Sequence, residues 1–201
     1  MTSELEFARI LRREVSSFLQ LPADIISQLY GHFLLLQRWN RVVNLVSLRS
    51  LEQAATRHYG ESLFLAANLP PDTMSVADVG SGGGFPGFPL AIVRPDLHIS
   101  LIESDKRKGA FLREAIRDVP NAEVLVARAE TLDRAFDTVI SRAVRWEDVA
   151  SFARRRSRYF AVLVGEVDAR EISGQRAFRA AKLVQLPWGD RRFLLVGSLN
   201  M

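Results

Sequence analysis

The chain of 201 residues contains no cysteine, which excludes disulfides, thiolate nucleophiles and cysteine-ligated metals and fits a reducing compartment. Its histidines, His32, His58 and His98, form no His/Asp/Glu cluster with ligand spacing and no Ser/His/Asp relay. No metal is therefore expected, and no side chain is assigned a catalytic role. No apolar run reaches the roughly 20 residues of a membrane span, because Arg, Asn, Gly or Pro interrupts each one. The N-terminal stretch carries Glu4, Glu6, Arg9, Arg12, Arg13 and Glu14, which is not the pattern of a signal peptide. Neither sign of charge dominates: Lys and Arg number 27 against 23 Asp and Glu, a balance of +4 that favours a polyanion without identifying one. Repeats and low-complexity segments are also missing. What remains is 48% apolar content, enough for a real core and for one compact unit with an extension.

Residues 1–69 offer no strand candidate and form the expected helical extension. Ser3 and Glu6 stand at capping-box spacing ahead of Ala8, Leu11, Val15 and Phe18, which predicts a helix to Leu19. Pro22 opens a second helix to about Asn40, with Ile26, Leu29, Phe33 and Leu36 inward. Ser50 and Gln53 open a third through Leu69, where Pro70 and Pro71 stop it. In residues 70–201 short apolar runs alternate with helical segments, the pattern of a mostly parallel sheet. Strands are expected at Val76–Val79, Ile99–Ile102, Glu123–Ala127, Thr138–Ile140, Tyr159–Val164, Leu183–Leu186 and Phe193–Val196. Helices fall at Pro89–Val93, Lys106–Arg117 and Glu147–Arg156, and the last two strands form an antiparallel hairpin around Pro187, Trp188, Gly189 and Asp190.

The stretch VADVGSGGGFPG, Val76 to Gly87, packs five of the chain's 12 glycines into eight positions directly after the first strand. Ligands of such sheets sit at the carboxyl ends of the strands. Two fingerprints overlap here. Gly82, Gly84 and Gly87 spell the G-x-G-x-x-G of dinucleotide sites, while Asp78, Gly80, Gly82 and Gly84 spell the D-x-G-x-G-x-G of methyltransferases that use S-adenosylmethionine. Asp78 suits a ligand with an ammonium group better than a pyrophosphate, and Phe85 and Pro86 offer an apolar wall. Glu103, at the end of the second strand, is placed for two ribose hydroxyls in either cofactor. Ala129 and Glu130, after the third strand, could hold an adenine by a main-chain amide and a carboxylate. The spacing alone leaves a nicotinamide-dependent oxidoreductase open.

In order and spacing, the segments LLLQRWNRVVNLVSLRS, RHYGES, VADVGSGGGFPGFPLAIVRP, LIESDKRKGAFLRE and FDTVISRA resemble the RsmG (GidB) family of 16S ribosomal RNA guanine-N7 methyltransferases, from about Leu34 to Ala143. The resemblance implies a class I, Rossmann-like methyltransferase fold and S-adenosylmethionine as donor. It also implies methylation of one guanine of 16S rRNA, met as free RNA or in the small ribosomal subunit. Carried over by position, its cofactor contacts fall on Gly80, Phe85, Ala129, Glu130 and Arg142, beside the Gly82 and Glu103 read from the loop and second strand. A cytoplasmic monomer with neither DNA nor membrane as partner is expected. The chain departs from the family pattern at Val46, at Glu61 and at Val164, where a lysine is usual. A methyltransferase of the same fold with another acceptor therefore stays open, as does a non-catalytic RNA-binding factor.

Guanine N7 carries a lone pair and no proton, so the reaction needs alignment rather than a base. RNA contact is sought in charge clusters: Lys106, Arg107 and Lys108 after the second strand, and Arg142, Arg145, Arg154, Arg155, Arg156 and Arg158 between residues 142 and 158. Trp39, Trp146 and Trp188 are candidates for stacking on an unpaired base, with core packing the default for Trp39.

Overall fold

The computed structural model describes residues 3–173, 178–189 and 191–199. Strands β1 (Ser75–Val79), β2 (His98–Glu103), β3 (Ala122–Val126), β4 (Phe136–Arg142) and β5 (Ser157–Gly165) lie parallel in the order β3-β2-β1-β4-β5. Beyond β5 the sheet continues with β7 (Arg192–Leu199) and then β6 (Phe178–Gln185), β7 running antiparallel to both. This is the mostly parallel seven-stranded sheet expected, with its closing hairpin, although Asp190 of the expected turn lies outside the described residues. Past Ser75 every residue of β1 is buried, as a central strand covered on both faces requires.

Two apolar layers cover the sheet. On one face α5 (Gly87–Val93) and α6 (Lys106–Ala115) share a continuous core with the N-terminal helices, from Phe7 and Leu29 through Phe88 and Phe111 to Leu101. On the other, α7 (Trp146–Arg156) and α8 (Glu166–Ser173) bury Trp146, Phe152, Ala169 and Ile172 against Val139 and Phe160. The sequence reading missed α8, because EVDAREIS carries only a short apolar stripe.

The extension departs from the expected helices in two places. α1 (Ser3–Val15) stops short of Leu19: the Ser16 hydroxyl donates to the Arg13 carbonyl and the amides of Phe18 and Leu19 turn back onto that of Val15. α2 (Ala23–Trp39) follows as read. The third helix is split. Ser50 caps α3 (Leu51–Gln53), a π-helical stretch follows over Ala54–Gly60, and α4 (Glu61–Ala67) completes it. The wider turn buries His58, Tyr59 and Gly60 together.

Candidate active site

Strand order reverses at β1, whose neighbours are β2 and β4, so a crevice opens at the carboxyl edge of the sheet. The glycine turn sits there. Gly80 and Ser81 both donate to the Ile102 carbonyl, at 2.9 and 3.2 Å, which bends the chain back over β2. Gly80 has φ +75°, and a Cβ on it would come within 2.5 Å of Val144 Cγ2. At Gly87 the constraint is proximity: a Cβ would meet Asp78 Oδ2 at 2.6 Å and collide with Leu101. That approach lets the Gly87 amide donate to Asp78 Oδ2 at 3.0 Å. Asp78 is wholly buried, and burial pushes its carboxyl up to about 7. It braces the turn from beneath and does not line the crevice.

The crevice has a volume of about 490 Å³ and brings together four of the expected residues: Gly80, Glu103, Ala129 and Glu130. The remaining three stand behind it. Gly82 donates its amide to Glu103 Oε2 at 3.0 Å. Phe85 is 3% exposed and packs into the extension, stacked on His58 at 5.1 Å and edge-on to Tyr59 at 5.1 Å. Arg142 places its Nε 3.1 Å from Glu61 Oε2, on the extension side. Sequence reasoning missed Val144, Glu147 and Asp148, which complete the wall from the far side of β4. Glu147 and Asp148 lie in the first turn of α7, where carboxylates suit the helix dipole; that first-turn acidity was their only sequence signal.

Carboxylates dominate this wall. Glu103, Glu130, Glu147 and Asp148 line it with the guanidinium of Arg128, and Arg145 pairs with Asp148 from outside the lining, so negative charge still prevails. Such a lining repels a pyrophosphate and attracts a ligand with sulfonium and ammonium charges. Oxygens of Glu103 are held by the amides of Gly82 and Asp105 at 3.0 and 2.9 Å, which fixes the carboxylate without a counter-cation.

The arginine cluster of residues 142–158 does not act as one surface. α7 starts beside the crevice and ends at Arg156, about 15 Å further along its axis, where β5 begins. Arg156 there pairs with Asp133 at 2.5 Å and Arg158 with Asp72 at 2.7 Å, on the opposite edge of the sheet. Lys106, Arg107 and Lys108 open α6, starting two residues past Ser104 of the crevice lining. Trp146 is buried, Trp39 donates to Glu114 at 2.8 Å, and Trp188 packs on Phe18 and Phe64. Val164 is 8% exposed within the α7–α8 core.

Among solved structures, the magnesium protoporphyrin IX methyltransferase of Synechocystis PCC 6803 with bound SAM matches with a TM-score of 0.58 at 18% identity, over 89% of this chain and 98% of that one. Sheet order, glycine turn and crevice thus define the class I methyltransferase fold. The profile described as "GidB: rRNA small subunit methyltransferase G" matches residues 25–186, and the chain belongs to that family. The ribosomal RNA small subunit methyltransferase G of Methylobacillus flagellatus is 35% identical over 84% of each chain. Its counterpart from Paracoccus denitrificans is 49% identical over 50% of this chain, and there the chain spans about half of the relative, 53%.

Proposed function

We propose that the protein transfers a methyl group from S-adenosylmethionine to N7 of a guanine in 16S rRNA, within the small ribosomal subunit or a precursor of it. The observation that carries the cofactor half is the wall of four carboxylates and one arginine, which fits a sulfonium amino acid and opposes a nicotinamide dinucleotide. Membership of the rRNA small subunit methyltransferase G family carries the acceptor half.

Gly80, Glu103, Ala129 and Glu130 hold the cofactor directly: bare backbone at Gly80, the ribose hydroxyls on Glu103, the adenine against Ala129 and Glu130. Gly82, Phe85 and Arg142 act from behind, the first by fixing Glu103, the second by anchoring the turn to the extension. Arg142 holds the end of β4, from which Val144 reaches over Gly80. We read residues 1–69 as the extension that braces this turn, and residues 70–201 as the methyltransferase domain. When bound, S-adenosylmethionine supplies an electrophilic methyl that N7 takes with its lone pair, so no residue has to remove a proton. The protein's contribution is alignment, together with a negative wall near the purine ring as it becomes cationic.

Calorimetry with S-adenosylhomocysteine and NADH tests the cofactor, and transfer of labelled methyl to 16S rRNA and to small subunits tests the acceptor. Binding of S-adenosylhomocysteine alone, with N7-methylguanine in the RNA digest, is expected. NADH binding in its place, or label in protein but not in RNA, would overturn the proposal.

A further inference from the structure

Outside the crevice, two arginines meet one buried carboxylate at the carboxyl edge of the sheet, with a third arginine near enough for its charge to be felt. Glu61, the first residue of α4, has no exposed surface, and its Oε2 accepts from Arg142 Nε at 3.1 Å and from Arg192 Nη2 at 2.7 Å. Arg142 ends β4 and Arg192 begins β7, on either side of β5, whose Leu163 and Gly165 are their register partners. Arg57, on the π-helical stretch, is exposed and has no ion pair among the described residues. Its charge is felt at the cluster: burial, then Arg142, Arg192 and Arg57, hold His58 down to about 4.

Arg142 and Arg192 share the single carboxylate of Glu61, which leaves one positive charge uncompensated in a half-buried place, and exposed Arg57 adds a second beside it. The polar groups are not saturated either, since Arg192 Nε and Glu61 Oε1 are buried without a partner. A cluster of this kind is self-repelling until an anion joins it, and the planar guanidinium fork fits phosphate oxygens. Arg192 keeps 31% of its side chain exposed and Arg142 12%, so an anion can reach both. The place is right as well: Arg142 lies two residues before Val144 of the crevice wall, whereas Arg156 and Arg158 are paired on the far edge.

We propose that Glu61 is a positioning residue that orients Arg142 and Arg192 so that, with Arg57, they seat one phosphodiester of the RNA strand carrying the target guanine. The inference rests on the rRNA reading above. Glu61 holds Arg142 by its Nε and Arg192 by one Nη2 donor, and the donors that these two bonds leave over form the seat.

The test measures binding of a 16S rRNA transcript across a salt series, with calorimetry of S-adenosylhomocysteine on the same proteins. Arg192→Ala is expected to weaken RNA binding about tenfold, and to lower the slope of log affinity against log salt by about 0.7 to 1. Affinity for S-adenosylhomocysteine should not change. Glu61→Gln should raise KM for RNA more than it lowers kcat, and Glu61→Asp should restore part of the loss, a rescue that a merely structural role would not give. Should Glu61→Gln fail to fold, Arg192→Ala and Arg57→Ala decide the matter alone. Wild-type RNA affinity and salt slope in both arginine variants would overturn the seat, as would a loss confined to S-adenosylhomocysteine. Methyl transfer by the unaltered protein is scored separately. Its absence from 16S rRNA would remove the guanine reading, while the salt slopes would still judge the seat.

Discussion

The Glu103 carboxylate closes the glycine turn onto β2, accepting the Gly82 amide on Oε2 at 3.0 Å while its other oxygen takes the Asp105 amide at 2.9 Å. The group proposed to meet the ribose is therefore also the clasp that sets the shape of the turn. In Glu103→Gln one carboxamide oxygen can accept only one of the two amides, at a cost of about 1 kcal/mol in stability. Affinity for S-adenosylhomocysteine should fall about tenfold, because the charged acceptor is gone. Calorimetry paired with urea unfolding checks both, and unchanged affinity would separate Glu103 from the cofactor.

Gly80 is constrained twice, by its φ of +75° and by Val144 Cγ2 lying 2.5 Å from where a Cβ would stand. The backbone strain of an alanine there is about 1 to 2 kcal/mol, and the contact forces Val144 into or away from the crevice. Gly80→Ala should abolish measurable S-adenosylhomocysteine binding. The double variant Gly80→Ala/Val144→Ala should recover part of it, since only the contact is relieved. No recovery would mean that the backbone conformation alone governs the site.

A third expectation concerns Asn40, which holds the segment lying over the turn. Its side chain accepts from the Leu45 and Val46 amides at 2.9 and 3.1 Å and donates to the Val46 carbonyl at 2.9 Å. Val46 in turn presses on Gly83, where a Cβ would meet Val46 Cγ1 at 2.8 Å. Asn40→Ala should lower stability by about 1 to 3 kcal/mol and weaken cofactor binding from a distance. Hydrogen exchange at Gly82 to Gly84 should rise; protection equal to wild type there would uncouple this segment from the site.

The strand–turn–helix pattern around Gly80, and the carboxylates that close the next two strands, were legible because each is a local signal: apolar runs, a glycine cluster, an acid at a strand end. A cofactor role for Arg142 came only from the family resemblance and Phe85 was read as an apolar wall of the loop, but the surroundings of neither were legible. Arg142 meets Glu61 across 81 positions of chain, and Phe85 meets His58 and Tyr59 through a π-helical turn that helical periodicity does not signal. The arginine run misled for a related reason. Sequence proximity suggested one surface, but α7 crosses the whole sheet, so its two ends face opposite edges. Asp148 pairs with Arg145 of that run and, with Glu147, also lines the crevice, a second role that their place in the chain does not signal.

Three buried groups make stability pH-dependent in opposing directions. Burial holds His32 down to about 3 and His58 to about 4, from 6.5, and pushes Asp78 up to about 7, from 3.8. For the histidines the folded pKa is depressed, so their full contribution is present above 6.5 and is lost as the pH falls toward 4 and 3. For Asp78 the folded pKa is raised, so its contribution is present below 3.8 and is lost as the pH rises through 7. Between about pH 4.5 and 6.5 the unfolded chain thus binds two histidine protons that the fold excludes, and the fold keeps one aspartate proton that the unfolded chain releases. The net is about one proton, so stability should rise with pH by about 1.4 kcal/mol per unit in that window. Asp78→Asn removes the opposing group and should about double the slope, whereas His58→Gln should bring it close to zero. Urea unfolding at several pH values reads these slopes. A flat profile that neither substitution changes would mean that the three groups are not held in these protonation states inside the fold.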